Sequence, residues 1–163
     1  EVLFIEACYN FLKPGGKMAI VLPDGILGNP NTEEVRLWIL KHFKLIASVD
    51  LPVETFLPQV GVQASLLFLQ KKTDEEMLIP IESEDYDVFM AIVEQVGKDR
   101  RGVPVYERDE DGAEILFPHV KRWLAYNEFG REVVRSRNER IKRLADDLPK
   151  VTEEYRKFRF DKL

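Results

Sequence analysis

The sequence has little cysteine and histidine and no long apolar run. Its 163 residues include one cysteine, Cys8, and two histidines, His42 and His119. A single cysteine forms neither an internal disulfide nor a cysteine metal site, and neither histidine has a paired ligand or nucleophile nearby in the sequence. No apolar run approaches the length of a membrane span, and no secretory signal is visible. These absences predict a cytoplasmic protein without a metal centre or a membrane contact.

The chain also lacks an excess of positive charge. Twenty-nine acidic residues outnumber 24 basic ones, for a net charge of −5. Because phosphate contacts need concentrated positive charge, this balance argues against autonomous DNA binding. The charge is uneven, however, since six basic residues fall within Arg131–Arg143. We interpret this Arg131–Arg143 cluster as a solvated helix face interleaved with glutamates, and a phosphate contact is the alternative.

The first third of the chain predicts a helix, a strand and a second helix. Leu3–Leu12 places its apolar residues on one side of a helix. Lys13-Pro14-Gly15-Gly16 ends it, because proline cannot continue a helix and glycine permits the positive φ of a turn. Lys17–Leu22 is predicted to be a buried strand, and Glu33–Phe43 the next helix.

Two apolar runs then flank a long loop. Leu45–Leu51 and Ala64–Gln70 are predicted to be buried strands, the second ending at Lys71–Lys72 where the chain returns to water. The loop over residues 52–63 is long for such a connection and carries a single aromatic residue, Phe56. The order helix, strand, helix, strand, strand predicts the end of a doubly wound α/β sheet that closes with a hairpin.

The second half is more polar. Asp85–Val96 is predicted to be an amphipathic helix stopped by Gly97. The polar stretch 98–112 contains the turn signals Arg101-Gly102 and Asp111-Gly112, and it predicts a β-hairpin or a mobile loop. Glu128–Asp146 is charged with a thin apolar stripe, and Val151–Phe158 is predicted to form a last short helix.

These patterns divide the chain into three segments. Residues 1–72 are expected to form an α/β unit, and residues 73–127 a helix with a polar hairpin or loop. Residues 128–163 are expected to form charged C-terminal helices.

Four segments together resemble one family. LKPGGKMAIVLPDGILGN, SVDLPVETFLP, GVQASLLFLQKK and VGKDRRGVPVYERDEDG are similar, in this order, to the modification subunit of type I restriction–modification systems. That subunit is an adenine-N6 DNA methyltransferase. The resemblance covers residues 1–112 well and the remainder loosely. It implies that residues 1–72 are the C-terminal half of a methyltransferase catalytic domain, with the Rossmann-like fold of S-adenosylmethionine-dependent methyltransferases. A closing antiparallel hairpin and a C-terminal helical extension would complete the chain. In the sheet, Ala64–Gln70 would run antiparallel between the strands Lys17–Leu22 and Leu45–Leu51.

The motifs that carry cofactor and chemistry in that family are absent from the sequence. There is no glycine-rich turn between a strand and a helix, and no Asn-Pro-Pro; Asn29-Pro30 is followed by Asn31 and lies elsewhere in the family pattern. We therefore interpret the chain as a fragment with no catalytic and no cofactor-binding residues, whose missing motifs precede residue 1. By itself it is expected to be inactive and to bind no cofactor.

The resemblance also implies roles for two groups of residues. Phe56, followed by Pro58, corresponds to the aromatic position that stacks on the flipped target adenine; the alternative is that Phe56 packs in the core. Pro23, Asp24 and Gly25 end a predicted strand and are candidates for the edge of the base pocket, with a plain turn as the alternative.

For the parent enzyme, the resemblance implies S-adenosylmethionine as the cofactor and DNA, a specificity subunit and a restriction subunit as partners. The truncated sheet edge is a candidate surface for a homo-oligomer. Two other functions stay open: a non-catalytic interaction module derived from a split or decayed subunit, and a methyltransferase of another substrate class.

Overall fold

A four-stranded mixed sheet, a long two-stranded hairpin and four helices make up residues 2–160, which the computed structural model describes. The elements are α1 (Val2–Phe11), β1 (Lys17–Pro23), α2 (Asp24–Gly28), α3 (Glu33–His42), β2 (Phe43–Leu51), β3 (Ala64–Lys71), β4 (Phe89–Ile92), β5 (Leu116–Tyr126), β6 (Glu132–Lys142) and α4 (Leu148–Phe160). No helix within the described residues is long and apolar enough to span a membrane. Because it combines helices with a mixed sheet, the fold is of the mixed α/β class, as the sequence predicts.

The sheet has the strand order β1-β3-β2-β4. β3 is antiparallel to both β1 and β2, so these two strands run in the same direction and are separated by β3. The prediction that the third apolar run lies antiparallel between the other two is confirmed. β4 adds a parallel partner on the far side of β2. Within residues 2–160, β1 pairs on one side only.

One face of this sheet is covered by the first three helices. Ile5 of α1, Ile26 of α2 and Ile39 of α3 are buried against Leu67 and Leu69 of β3. The sequence favours this arrangement because each helix presents an apolar stripe and β3 is apolar on both faces.

Two adjacent lysines at the end of β3 close the ends of two helices. Lys71 Nζ donates to the carbonyl oxygens of Tyr9 and Leu12 at 2.9 and 2.8 Å, at the C-terminus of α1. Lys72 Nζ donates to the carbonyl of Leu40 near the end of α3 at 2.6 Å. Cations are favourable at these positions because the terminal carbonyls lack intrahelical partners and carry partial negative charge.

The expectation that the chain returns to water at Lys71–Lys72 is wrong for Lys72. Its side chain is 1% exposed and forms an ion pair with Glu84, which is 8% exposed. An acidic partner and a helix terminus together compensate for the burial of the ammonium group.

The opposite face of the sheet carries a second, smaller core. Val49 and Leu51 of β2 are buried there together with Val93, and Val151 of α4 packs against them. The ring of Phe89 in β4 lies edge-on to Tyr155 of α4, with 5.3 Å between the centroids. The second core therefore attaches the last helix to the sheet.

The helix predicted over Asp85–Val96 is wrong, because the structure has strand β4 there. In β4, Phe89 and Ala91 are partly buried, whereas Met90 and Ile92 are exposed. This alternation is the period of a strand. The unpaired edge of β2 supplies backbone partners for these residues, and that tertiary contact overrides the helical spacing of the apolar residues.

The helix implied over Glu128–Asp146 is also wrong. β5 and β6 form an antiparallel hairpin of eleven residues each, from Leu116↔Lys142 to Tyr126↔Glu132. The predicted C-terminal helix is confirmed as part of α4, where Pro149 lies in the first turn, a position that needs no backbone donor.

The three-segment division stays a prediction, although its boundary at residue 128 falls in the β5–β6 turn. Residue 1 and residues 161–163, which its outer segments include, lie outside the described residues.

Candidate functional site at the carboxyl ends of the strands

Three strand ends meet at one edge of the sheet. Because β1, β2 and β4 run in the same direction, Pro23, Leu51 and Ile92 end them at the same side. The loop over residues 52–63 leaves β2 at this edge and returns into β3. Open α/β sheets bind their ligands at the carboxyl ends of parallel strands.

Asp24 is held at this edge by the start of β3. Its carboxylate accepts a hydrogen bond from the hydroxyl of Ser65 at 3.2 Å, and its backbone N–H donates to the carbonyl of Gln63 at 3.1 Å. The side-chain amide of Gln63 lies 3.5 Å from a carboxylate oxygen of Asp50. The candidate pocket-edge residue is therefore fixed by side-chain and backbone contacts, which a plain exposed turn would not need.

Phe56 lies on the loop and is half-buried. It follows the short 3-10 turn Val53–Thr55, and its carbonyl accepts a hydrogen bond from the N–H of Val60 at 3.0 Å. Its side chain packs against the second core, which contains Val49 and Leu51. The side chain is therefore anchored by the second core and keeps part of its surface exposed to solvent.

Pro58 is exposed and follows a cis peptide bond with Leu57. The carbonyl of Leu57 accepts a hydrogen bond from Lys98 Nζ at 3.0 Å. A Cβ placed on Gly102 would lie 3.4 Å from the Pro58 ring, so the turn over residues 99–103 packs directly on the loop.

A second contact between the same turn and the loop is ionic. Arg100 Nε donates to Glu54 at 3.0 Å. This hydrogen bond lowers the pKa of the Glu54 carboxyl below its usual range. The GKDRRG stretch, which begins the segment predicted to be a β-hairpin or a mobile loop, thus supplies two side chains that support the loop of Phe56.

The two groups of predicted site residues share an edge but not a face. Phe56 packs on the sheet face that carries Val49 and Leu51. Asp24 instead bonds Ser65, whose side chain lies on the opposite face of the sheet. Sequence reasoning missed Ser65, Lys98 and Arg100. The one feature of the sequence that connects Lys98 and Arg100 is their position on either side of Asp99, which begins the turn Asp99–Gly102.

A cavity of about 900 Å³ lies elsewhere, between α4 and the amino ends of β1 and β2. Its lining includes Lys17, Lys44 and Tyr155. Because it is at the opposite edge of the sheet, it does not coincide with the predicted site.

The described residues do not fit S-adenosylmethionine. Such a cofactor is held by a glycine-rich turn between a strand and a helix, where the backbone approaches the ligand closely. Within residues 2–160, the positive-φ glycines are Gly15, Gly97, Gly102, Gly112 and Gly130, and none follows a sheet strand into a helix. The same part of the chain holds no group of three potential metal ligands.

Comparison with known proteins matches residues 1–102 to the family model described as N-6 DNA Methylase. Among solved structures, the chain is similar to a protein from Listeria monocytogenes described as a class I S-adenosylmethionine-dependent methyltransferase. The identity is 26% and the TM-score 0.44, over 56% of this chain and 26% of that one. A chain from a structure of the type I R-M system is 33% identical with a TM-score of 0.40, over 43% of this chain and 15% of that one. The chain thus spans about a quarter or less of either protein.

Proposed function

The chain belongs to the N-6 DNA methylase family, and we propose on that premise that it is part of an S-adenosylmethionine-dependent adenine-N6 DNA methyltransferase. Within that enzyme it supplies the sheet scaffold and the wall against which the target base lies. The single observation that carries this role is Phe56, half-buried on a supported loop at the carboxyl ends of the strands.

A wall residue for an extruded base needs a fixed position and a free face. Methyltransferases that modify a base inside a duplex extrude it, and aromatic rings stack on its planar surface. The core contact holds the Phe56 side chain in place, and the contacts from Lys98 and Arg100 limit movement of the loop. Pro58 is proposed to contact the target base together with Phe56, and Pro23, Asp24 and Gly25 are proposed to border the pocket.

The parent enzyme is proposed to be the modification subunit of a type I restriction–modification system. The four matching sequence segments in their family order support this proposal. In such a complex a specificity subunit selects the DNA sequence, and a restriction subunit is a further partner. The cofactor is held by residues outside this chain, since the described residues do not fit it, and the chain alone is inactive.

The substitution Phe56→Ala in the complete subunit tests the stacking role. Removing a stacked aromatic is worth about 1–3 kcal/mol per base, so we expect weaker base extrusion and slower methyl transfer with unchanged cofactor affinity. Fluorescence of 2-aminopurine at the target position reports extrusion, and a denaturant melt of each variant reports stability.

Two control substitutions show what the loss of an exposed and of a buried phenylalanine does to the same two signals. Phe11 is 90% exposed on α1, so Phe11→Ala should change neither signal, whereas Phe43 is fully buried, and its loss should cost about 3–5 kcal/mol of stability. If Phe56→Ala behaves as Phe43→Ala does, with an unchanged 2-aminopurine signal, Phe56 is a core residue and the proposed wall is wrong.

A further inference from the structure

The β5–β6 hairpin projects as a separate arm. We call residues 116–142 the basic arm. Within residues 2–160, its two strands of eleven residues pair only with each other, and at about 3.4 Å per residue they extend about 35 Å. Most of its side chains on both faces are exposed. An arm of this length buries little apolar surface, so packing alone does not account for it.

The charge of the arm is opposite to that of the whole chain. It holds seven basic and three acidic residues, whereas the chain as a whole has a net charge of −5. At its base, Lys142 pairs with Glu114. Within residues 2–160, no carboxylate forms an ion pair with Lys121, Arg135 or Arg137, all of which are exposed. The arm thus concentrates uncompensated positive charge that the net charge conceals.

The pairing register gathers this charge around an aromatic ring. Trp123 lies directly opposite Arg135, and Lys121 lies opposite Arg137, so the four side chains share one face of the ribbon. Trp123 is 41% exposed. Basic side chains beside an exposed aromatic ring suit a nucleic-acid surface, since the basic groups bind phosphates and the ring contacts sugars or base edges.

The shape of the arm, a two-stranded ribbon, fits the grooves of some nucleic acids better than those of others. The major groove of B-form DNA is wide enough to admit a two-stranded β-ribbon. The corresponding groove of A-form RNA is too deep and narrow for side chains to read. The arm therefore fits duplex DNA better than duplex RNA.

We propose that the basic arm binds duplex DNA, with Lys121, Arg135 and Arg137 on phosphates and Trp123 against the groove. The proposal goes beyond the proposed function, on which it rests only for the choice of DNA over other polyanions. It also replaces the expectation, drawn from the net charge, that this chain has no DNA affinity of its own.

The test compares two triple variants of the full chain that have the same net charge. Lys121→Gln/Arg135→Gln/Arg137→Gln removes the charge of the ribbon face. The control, Lys13→Gln/Lys41→Gln/Lys157→Gln, removes three exposed charges that lie outside the arm. Binding to a 30-base-pair duplex is measured by fluorescence anisotropy from 50 to 200 mM KCl, after circular dichroism has shown that both variants are folded.

We expect the arm variant to lose at least about tenfold in affinity at 50 mM KCl. Its slope of log Kd against log salt should fall by about 2.7, the value for three phosphate contacts. The control should bind as the original chain does. Equal affinities for the two variants would overturn the proposal and leave the open edges of β5 and β6 as a surface for pairing with a protein strand.

Tryptophan fluorescence gives a second, independent measurement. The chain has two tryptophans, and Trp38 lies in the first core, so the difference between the original chain and Trp123→Phe isolates Trp123. DNA should quench the original chain and leave Trp123→Phe unchanged. Identical quenching in both would contradict contact at the ribbon face. Either result is separate from the 2-aminopurine assay, so this proposal and the role of Phe56 can fail independently.

Discussion

We expect the substitution of Lys72 to lower the free energy of unfolding more than the small change in side-chain size suggests. Its ammonium group is buried between Glu84 and the carbonyl of Leu40, and its backbone N–H donates to the carbonyl of His42 at 3.0 Å. The side chain thus joins the end of β3 to the end of α3 and to the segment before β4. The substitution Lys72→Met keeps most of the apolar stem and removes only the charge and the donors.

The expected magnitude follows from what the substitution leaves behind. Glu84 would remain 8% exposed with no cation, and removing one member of a buried pair costs about 3–5 kcal/mol. Replacing both members should cost much less stability, because no unpaired charge then remains buried. Lys72→Met/Glu84→Leu should cost about 1 kcal/mol, chiefly for the hydrogen bond lost by Leu40.

Urea denaturation of the two single variants and the double variant measures this coupling. We expect the double variant to be at least about 2 kcal/mol more stable than the sum of the single losses predicts. The matched control is Lys44→Met, which breaks the half-exposed pair with Glu76 and should cost less than about 1 kcal/mol. If Lys72→Met is no more costly than Lys44→Met, the burial argument is wrong.

Two further outcomes concern the loop and the cofactor. Because the Arg100 hydrogen bond lowers the pKa of Glu54, the contact stabilises the fold above the ordinary carboxyl value of 4.5 and is lost as the pH falls through the lowered value. Arg100→Met should return the Glu54 pKa towards 4.5 in a carboxyl NMR titration, and an unchanged pKa would show that Arg100 is not the cause. Purified residues 1–163 should give no saturable heat with S-adenosylmethionine in calorimetry. Saturable binding at micromolar concentration would place a cofactor site in this chain.

The central sheet could be predicted from sequence because its signals agree. β1, β2 and β3 are mostly apolar runs, and the family resemblance implied their order. The resemblance itself is confirmed at the level of the N-6 DNA methylase family. The stacking role of Phe56 stays a prediction, since the structure places its ring half-buried, between the two alternatives.

β4 could not be predicted because its spacing fits two structures. Phe89, Ile92 and Val93 recur at helical intervals, yet a strand of four residues also accommodates them. The deciding factor is the free edge of β2, a contact with residues about forty positions earlier in the chain. A local pattern does not contain that information.

The sequence also carries a signal for the turn of the basic arm. Its turn begins at Asn127, whose side chain accepts hydrogen bonds from the N–H groups of Phe129 and Arg131, and it ends at Gly130 with φ of 70°. The turns Asp99–Gly102 and Asp109–Gly112 have the same spacing and also end in a positive-φ glycine. An Asp or Asn three residues before a glycine therefore marks three successive hairpins in this chain.

The central position of β3 has a consequence for how the chain folds during synthesis. β1 and β2 have no hydrogen bonds with each other, because β3 lies between them. Domains form as the ribosome delivers them, from the N-terminus onwards. Until residue 71 leaves the ribosome, β1 and β2 therefore cannot be joined through β3. We expect β3 to connect them as it is synthesised, with Lys72 then binding the end of α3 and β4 joining the free edge of β2 later.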